Sequence, residues 1–246
     1  MRNRTYNLDW GIFSLIEFIG SNSEKIGDKF RTCIDIGSGE GVQTEILRHA
    51  GLKVFQVDKY SSSAEYKVDF LEYTFDQKFD VVFCSHVIEH QRNVGHFLDK
   101  IYDILNEDGV LIISAPKHDA ESMIEGHLNC FITPYFIQHL LHAGFNLKDG
   151  KYLSCGGIEN AAIISKDPNF DLDERKYDGY NWTERQQATS FVELKNQSFK
   201  GFDLFFHNCE VVGASSEQAI TLTFPAGYKN KGIRVSAPRW NLDVNF

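Results

Sequence analysis

Cys33-Ile34-Asp35-Ile36-Gly37-Ser38-Gly39-Glu40-Gly41 is the stretch that decides the fold. Its first residues close a short apolar run, Arg31–Ile36, that reads as a strand. Three glycines at alternate positions follow, and Val42–Ala50 then reads as a helix stopped by Gly51. Glycine lets the backbone turn sharply and lets a ligand approach without meeting a Cβ. Asp35, two positions before the first glycine, narrows the ligand. A pyrophosphate favours helix-terminus amides with no carboxylate nearby; a ligand carrying an ammonium group tolerates one.

Reading onward, Lys53–Val57 forms a second strand with Asp58 at its carboxyl end. An acid there can accept hydrogen bonds from both ribose hydroxyls of an adenosine, each worth about 1.5–3 kcal/mol to a charged group. Val68–Leu71 reads as a brief third extended piece, and Phe79–Cys84 as a strand buried on both faces. Val94–Leu105 has helical periodicity, Gly109–Ser114 is a strand closed by Ala115-Pro116, and Pro134–His142 is a helix with proline in its first turn. Phe145–Ser154 and Glu159–Ser165 read as two strands joined around Gly156-Gly157. Reading backward, Asp9–Ile19 carries Trp10, Phe13, Ile16 and Phe18 at helical spacing and should cover a sheet edge. Alternating strands and helices predict an α/β class with a doubly wound, mainly parallel sheet.

The pattern changes at Asp167-Pro168, where a polar stretch runs through Glu184. Short β-like runs follow at Phe202–Phe206, Glu210–Val212, Ala219–Phe224 and Gly232–Val235. Residues 1–166 are therefore expected to form the ligand-binding domain, and 167–246 a small β-rich C-terminal extension. Aromatics of the extension, among them Tyr177, Tyr180, Trp182 and Trp240, fit a cover for the domain or a partner surface.

The formal charge of −9 weighs against nucleic acid as a partner, since phosphate backbones are held by basic faces. No stretch nears the apolar length needed to span a bilayer, so no membrane is expected. The start, Met1 to Tyr6, lacks the apolar core of a signal peptide. Cys33, Cys84, Cys130, Cys155 and Cys209 are odd in number and contain no CxxC pair, as expected of thiols in a reducing, cytoplasmic protein.

The quoted segments, taken in order, resemble the class I S-adenosylmethionine (SAM)-dependent methyltransferases over about Phe30–Lys166. Cys33–Gly41 resembles the first motif, Val54–Asp58 the second and Val68–Leu71 the adenine-contacting one. Phe79–His90 is similar to the fourth strand and its hydrophobic-Glu-His signature, and Leu105–Pro116 to the late strand motif. The resemblance implies a seven-stranded sheet and SAM as cofactor. It assigns Asp35, Gly37, Ser38, Gly39 and Gly41 to the methionine end, Asp58 to the ribose, Asp69 to the adenine amino group and Phe70 to the ring environment, with Lys59 also among the cofactor-binding residues. Ser85 and His86 would border the sulfonium and substrate. Members of this branch methylate small molecules or sugars, which implies a small-molecule or carbohydrate acceptor, with oxygen the expected atom. The Asn-Pro-Pro-aromatic signature of nucleic-acid amino methyltransferases is replaced by Cys84-Ser85-His86.

A hydroxyl acceptor is helped by a base, and histidine suits neutral pH. His127, in a "His…Phe-Thr"-like stretch before a helix, and His86 are the catalytic candidates; His90 reads as a packing residue and His118 as a solvated one. His86-Val87-Ile88-Glu89-His90 also fits the His-x-x-Glu-His pattern of inverted zinc peptidases. That chemistry needs both imidazoles on one helical face and a third ligand, and His86 falls at a strand end, so no metal is expected. An NAD-dependent oxidoreductase would want Gly-x-Gly-x-x-Gly, whereas this loop is Gly-x-Gly-x-Gly. A methyltransferase-like binding module without catalysis is the remaining alternative, against which the intact loop and ribose acid argue.

Overall fold

Along Phe79–Ser85 the side chains alternate between two separate cores, Val82 and Cys84 entering one, Val81 and Phe83 the other. Apolar alternation to both sides marks a strand with layers packed on each face. The computed structural model describes residues 4–7, 11–117, 122–147, 150–155, 159–170, 206–209, 219–223, 232–236 and 241–244. In chain order its elements are β1 (Arg4–Asn7), α1 (Ile12–Asn22), β2 (Thr32–Ile36), α2 (Val42–Ala50), β3 (Lys53–Val57), β4 (Phe79–Ser85), α3 (Val94–Ile104), β5 (Leu105–Pro116), α4 (Thr133–His142), β6 (Lys151–Cys155), β7 (Glu159–Ser165), β8 (Phe206–Cys209), β9 (Ala219–Thr223), β10 (Gly232–Ser236) and β11 (Asn241–Val244).

Six strands form a mixed sheet in the order β3-β2-β4-β5-β7-β6, and β8 pairs in parallel alongside β6. Only β7 runs against its neighbours; β3, β2, β4 and β5 are parallel. This is the doubly wound α/β sheet that the alternating pattern predicts. Helices α1 and α2 pack into the core holding Cys33, Val81 and Ile112, while α3 and α4 pack into the core of Ile34, Val82 and Ile113. Fully buried Phe79, Phe83, Phe97, Phe136 and Phe145 each contribute about 1.5–3 kcal/mol of burial. A second sheet, all antiparallel, joins β1, β11, β10 and β9, so residues near the start of the chain pair with residues near its end.

Three expectations need correction. Val68–Leu71 is not a strand: Tyr66 makes one parallel bridge to Val57, and the chain then turns. Asp69 causes the turn, since its Oδ1 accepts from the Leu71 N–H and its carbonyl from the N–H groups of Glu72 and Tyr73. Helix α1 lies on the sheet face over β5 and β7 rather than along an edge. Its buried side is Ile12, Leu15, Phe18 and Ile19, with Phe13 and Ile16 only partly covered. The apolar run does not open as a strand: residues 145–147 lie outside any strand, Phe145 turns inward against Tyr102 with ring centroids 5.1 Å apart, and β6 begins at Lys151.

Cys33 and Cys84 are buried free thiols, as their place in apolar strands predicts. Among the described residues no helix is long and apolar enough to cross a membrane. The expected run Glu210–Val212, the Gly156-Gly157 turn, Trp10, His118, Tyr177, Tyr180, Trp182 and Trp240 lie outside the described residues.

Candidate functional site

The chain leaves β2 for β3 on one side and later returns to place β4 on the other. Loops that follow β2 and β4 therefore diverge around a switch point, where open α/β sheets take their ligands. The two loops touch: a Cβ on Gly37, whose φ is 74°, would lie 2.2 Å from Val87 Cγ2. Gly41, with φ 80°, is also crowded, because its Cβ would fall 2.4 Å from Gln56 Nε2. Gly39 differs. Its φ is 51°, yet a Cβ there would meet no heavy atom within 4 Å. Gly37 is thus demanded by protein packing, Gly41 faces the movable end of the Gln56 side chain, and the middle one borders open space.

Asp35 precedes this loop on the α2 side of β2 and is 2% exposed. The Thr44 hydroxyl on α2 donates to its Oδ2. Burial pushes the Asp35 carboxyl up, the Thr44 hydrogen bond only partly offsets this, and the charge of Asp58 adds to it, leaving a pKa of about 7. Ser38 is 5% exposed, and among the described residues its buried Oγ has no hydrogen-bond partner. Such an orphan costs about 1–3 kcal/mol unless a ligand satisfies it.

Asp58 closes the loop from the end of β3. Its Oδ2 accepts from the Gly39 N–H at 2.9 Å, and its Oδ1 from the N–H groups of Tyr60 and Ser61 at 2.7 Å each. A carboxylate has about four lone-pair sites, so acceptor capacity remains for a hydroxyl donor. Lys59 pairs with Asp69 Oδ2 at 3.0 Å; the hydrogen bond and charge raise the Lys59 pKa and lower that of Asp69. Phe70 is placed differently from the expectation: at 7% exposure its ring packs among Phe75 and Phe97, so its side chain belongs to the core. The orphaned Ser38 hydroxyl, the open face of Gly39 and the spare acceptor capacity of Asp58 fit a ligand with a polar tail and a ribose.

Beyond β4, Ser85 accepts a hydrogen bond from the Ser114 hydroxyl at 3.0 Å and sits under Gly11. His86 has φ 52° and is held between two buried acids. Its Nε2 lies 2.9 Å from Glu159 Oε2, and its Nδ1 3.3 Å from Glu89 Oε1. The same Glu159 oxygen accepts from the Gly11 N–H at 2.7 Å. Burial alone would lower the His86 pKa, but the Glu159 hydrogen bond and the charges of Glu159 and Glu89 outweigh it and raise it to about 9. The raised pKa favours the imidazolium form, held between the two carboxylates. The peptidase arrangement fails too, since His86 faces Glu159 while His90 faces His127, their rings 4.7 Å apart.

His127 follows β5, at the same sheet edge, on a segment pinned to the turn after β4. The N–H groups of Leu128 and Asn129 both donate to the Glu89 carbonyl. Sequence reasoning missed Glu89 and Glu159 as site residues. For Glu159 the signal was present, as a lone acid opening the apolar run Glu159–Ser165. Glu89 stood within a quoted motif but was given no role of its own.

Comparisons with known proteins agree with this fold. Residues 10–151, more than half of the chain, match the family described as a methyltransferase domain. A ubiquinone biosynthesis O-methyltransferase of Rickettsia bellii is 28% identical over 46% of this chain and 52% of its own length. That of Azorhizobium caulinodans is 29% identical over 36% of this chain and 42% of its own. The chain thus matches about half or less of these relatives. Among solved structures, the Burkholderia thailandensis 1,6-didemethyltoxoflavin-N1-methyltransferase, with its substrate and S-adenosylhomocysteine bound, superposes with a TM-score of 0.52 at 16% identity, over 64% of this chain and 78% of that one. The N-methyltransferase NodS of Bradyrhizobium japonicum with S-adenosylhomocysteine gives 0.50 at 14% identity, over 65% and 88%. By its sequence over residues 10–151 and by its fold, this chain belongs to the methyltransferase domain family.

Proposed function

We propose that this chain transfers the methyl group of SAM to an oxygen of a small-molecule or sugar acceptor. The observation that carries the reading is the loop at the switch point: an open Gly39, an orphaned Ser38 hydroxyl and an Asp58 carboxylate bound to that loop. Bound SAM supplies an activated methyl on a cationic sulfur.

The chain's own residues bind and orient. Asp35, beneath the loop, offers its carboxylate to the ammonium of the methionine end, with Thr44 holding it in place. Ser38 Oγ gains a partner there. Asp58 keeps its loop contacts and receives a ribose hydroxyl on its remaining lone pair. Asp69, fixed by Lys59, lies towards the adenine amino group, where the Phe70 backbone can border the ring. Ser85, held by Ser114, lines the end of β4. His86 ties Gly11 to the sheet through Glu159, and the two acids balance its charge. His127 receives the acceptor's proton. Orientation of two bound reactants is worth about 7–11 kcal/mol in favourable cases, so positioning is expected to dominate. The O-methyltransferase names of the curated relatives support oxygen as the acceptor atom.

The test uses the full chain with methyl-labelled SAM and a panel of phenols, catechols and sugars. Label should enter an O-methyl ether, and His127→Asn should lower kcat about 100-fold with donor affinity unchanged, in line with the usual worth of acid–base help. Label confined to nitrogen or carbon, or an undisturbed His127→Asn enzyme, would contradict the acceptor reading.

A further inference from the structure

Glu89, His90 and His127 each offer a donor atom, and these three atoms all lie within 4.8 Å of one another. Glu89 comes from the 3₁₀ turn after β4 and is 0% exposed. Among the described residues neither of its carboxylate oxygens accepts a hydrogen bond. Oε1 has only ionic contacts, 3.3 Å from His86 Nδ1 and 3.9 Å from His90 Nε2, and Oε2 takes part in neither. His86 stands beside Oε1 as a counter-ion, but a carboxylate buried with its other oxygen unpaired is costly, and a further cation would complete it.

His90 is set up as a ligand by its surroundings. Its Nδ1 lies 2.9 Å from the Gly126 carbonyl oxygen. A carbonyl only accepts, so Nδ1 carries the proton and Nε2 keeps its lone pair towards Glu89. Metal-binding histidines are commonly fixed by such a backbone hydrogen bond on the other ring nitrogen. His127 is delivered by the pinned segment, with the Asn129 amide also donating to the Gln91 carbonyl at 2.7 Å. The lone charge-bearing ligand is buried and the two imidazoles are partly accessible, which leaves a path for an ion.

We infer that Glu89, His90 and His127 form a site for a divalent transition metal, of which zinc is the best fit. Two imidazoles and one carboxylate suit borderline ions such as zinc and match magnesium or calcium poorly, since those prefer oxygen ligands. Bonds of about 2.0–2.2 Å would require the donors to draw together by roughly an ångström. Three protein ligands leave a position for water or an acceptor hydroxyl, whose proton the ion would make easier to lose. The inference deepens the acceptor reading above, with His127 a ligand instead of a base while the ion is bound. Its evidence is the donor set, so ion binding can be tested without any methyl transfer.

Metal-stripped full-length protein would be titrated calorimetrically with zinc and, separately, magnesium, and its cobalt(II) form examined by visible absorption. One zinc per chain is expected at micromolar affinity or tighter, with no comparable magnesium binding and cobalt bands of a four- or five-coordinate site. His90→Asn and His127→Asn should each weaken zinc about 100-fold, while His49→Asn on α2 should leave it unchanged. Both histidine variants lie outside the core, and circular dichroism would verify their fold. No stoichiometric zinc, or zinc that both variants bind as tightly as the parent, would overturn the site. Donor binding measured on the same samples separates that outcome from a failure of the methyltransferase reading.

Discussion

The Gly39 N–H donates to Asp58 Oδ2 at 2.9 Å, so the residue expected to grip a ribose already holds the glycine loop in place. Asp58 therefore has two tasks, and one substitution affects both. Asp58→Ala should weaken S-adenosylhomocysteine binding about 10–100-fold, the loss of a hydrogen bond to a charged group. It should also lower the melting temperature of the ligand-free protein. Calorimetry and a thermal melt check both; unchanged affinity would remove Asp58 from the site.

The three loop glycines should separate by phenotype. Gly37→Ala places a methyl 2.2 Å from Val87 Cγ2 at positive φ, so it should destabilise the fold by about 2–4 kcal/mol, combining backbone strain with overpacking. Gly39→Ala meets open space and should cost about 1–2 kcal/mol from backbone strain alone, yet impair cofactor binding more than tenfold. Denaturant unfolding and calorimetry on both variants distinguish the roles. Equal ligand affinity for Gly39→Ala and parent would mean that no ligand approaches there.

Asp35 predicts a pH dependence. Its folded pKa of about 7 lies above the ordinary aspartate value of 3.8, so the folded state holds a proton that the unfolded chain releases. Stability should therefore decline as pH rises from about 4 to 7 through this group. An ammonium ligand favours the carboxylate, so cofactor affinity should climb over the upper part of that window and then level off. Calorimetry of S-adenosylhomocysteine at pH 6 in buffers of differing ionisation enthalpy should detect proton release. Asp35→Asn should abolish the pH dependence and weaken binding.

His86 predicts a decline of the same sign in a higher pH window. Its pKa rises from 6.5 to about 9 in the folded, metal-free protein, so its contribution is complete below about 6.5 and fades as pH rises through 9. His86→Leu leaves Glu89 and Glu159 buried without their cation and should cost about 3–5 kcal/mol. Denaturant unfolding at pH 6.5 and pH 9.5 checks both statements: the gap between variant and parent should be large at the lower pH and small at the higher.

Legibility in the sequence followed the range of the interactions involved. The bounds of α2, β3 and β7 were readable because apolar periodicity and a terminal glycine are local signals. Val68–Leu71 misled because its apolar residues hid a turn that Asp69 closes through its own side chain. Phe70 misled similarly: its composition suggests a ring contact, while Phe97, brought by a later helix, draws it inward. Asp35, Asp58 and the glycines were legible because one strand–turn–helix unit and the next strand place them. The bridge from His86 to Glu159 spans 73 positions, and the meeting of His90 with His127 depends on how two loops are pinned. No local pattern encodes either.

The central claim is that the switch point between β2 and β4 binds the methyl donor through Gly39 and Asp58. Isothermal titration of the full-length protein with S-adenosylhomocysteine at pH 7.5 tests it most directly. One site per chain with micromolar affinity is predicted for the parent, weakened at least tenfold in Asp58→Ala. A folded parent protein that gives no binding heat and no melting shift with either SAM or S-adenosylhomocysteine would contradict it.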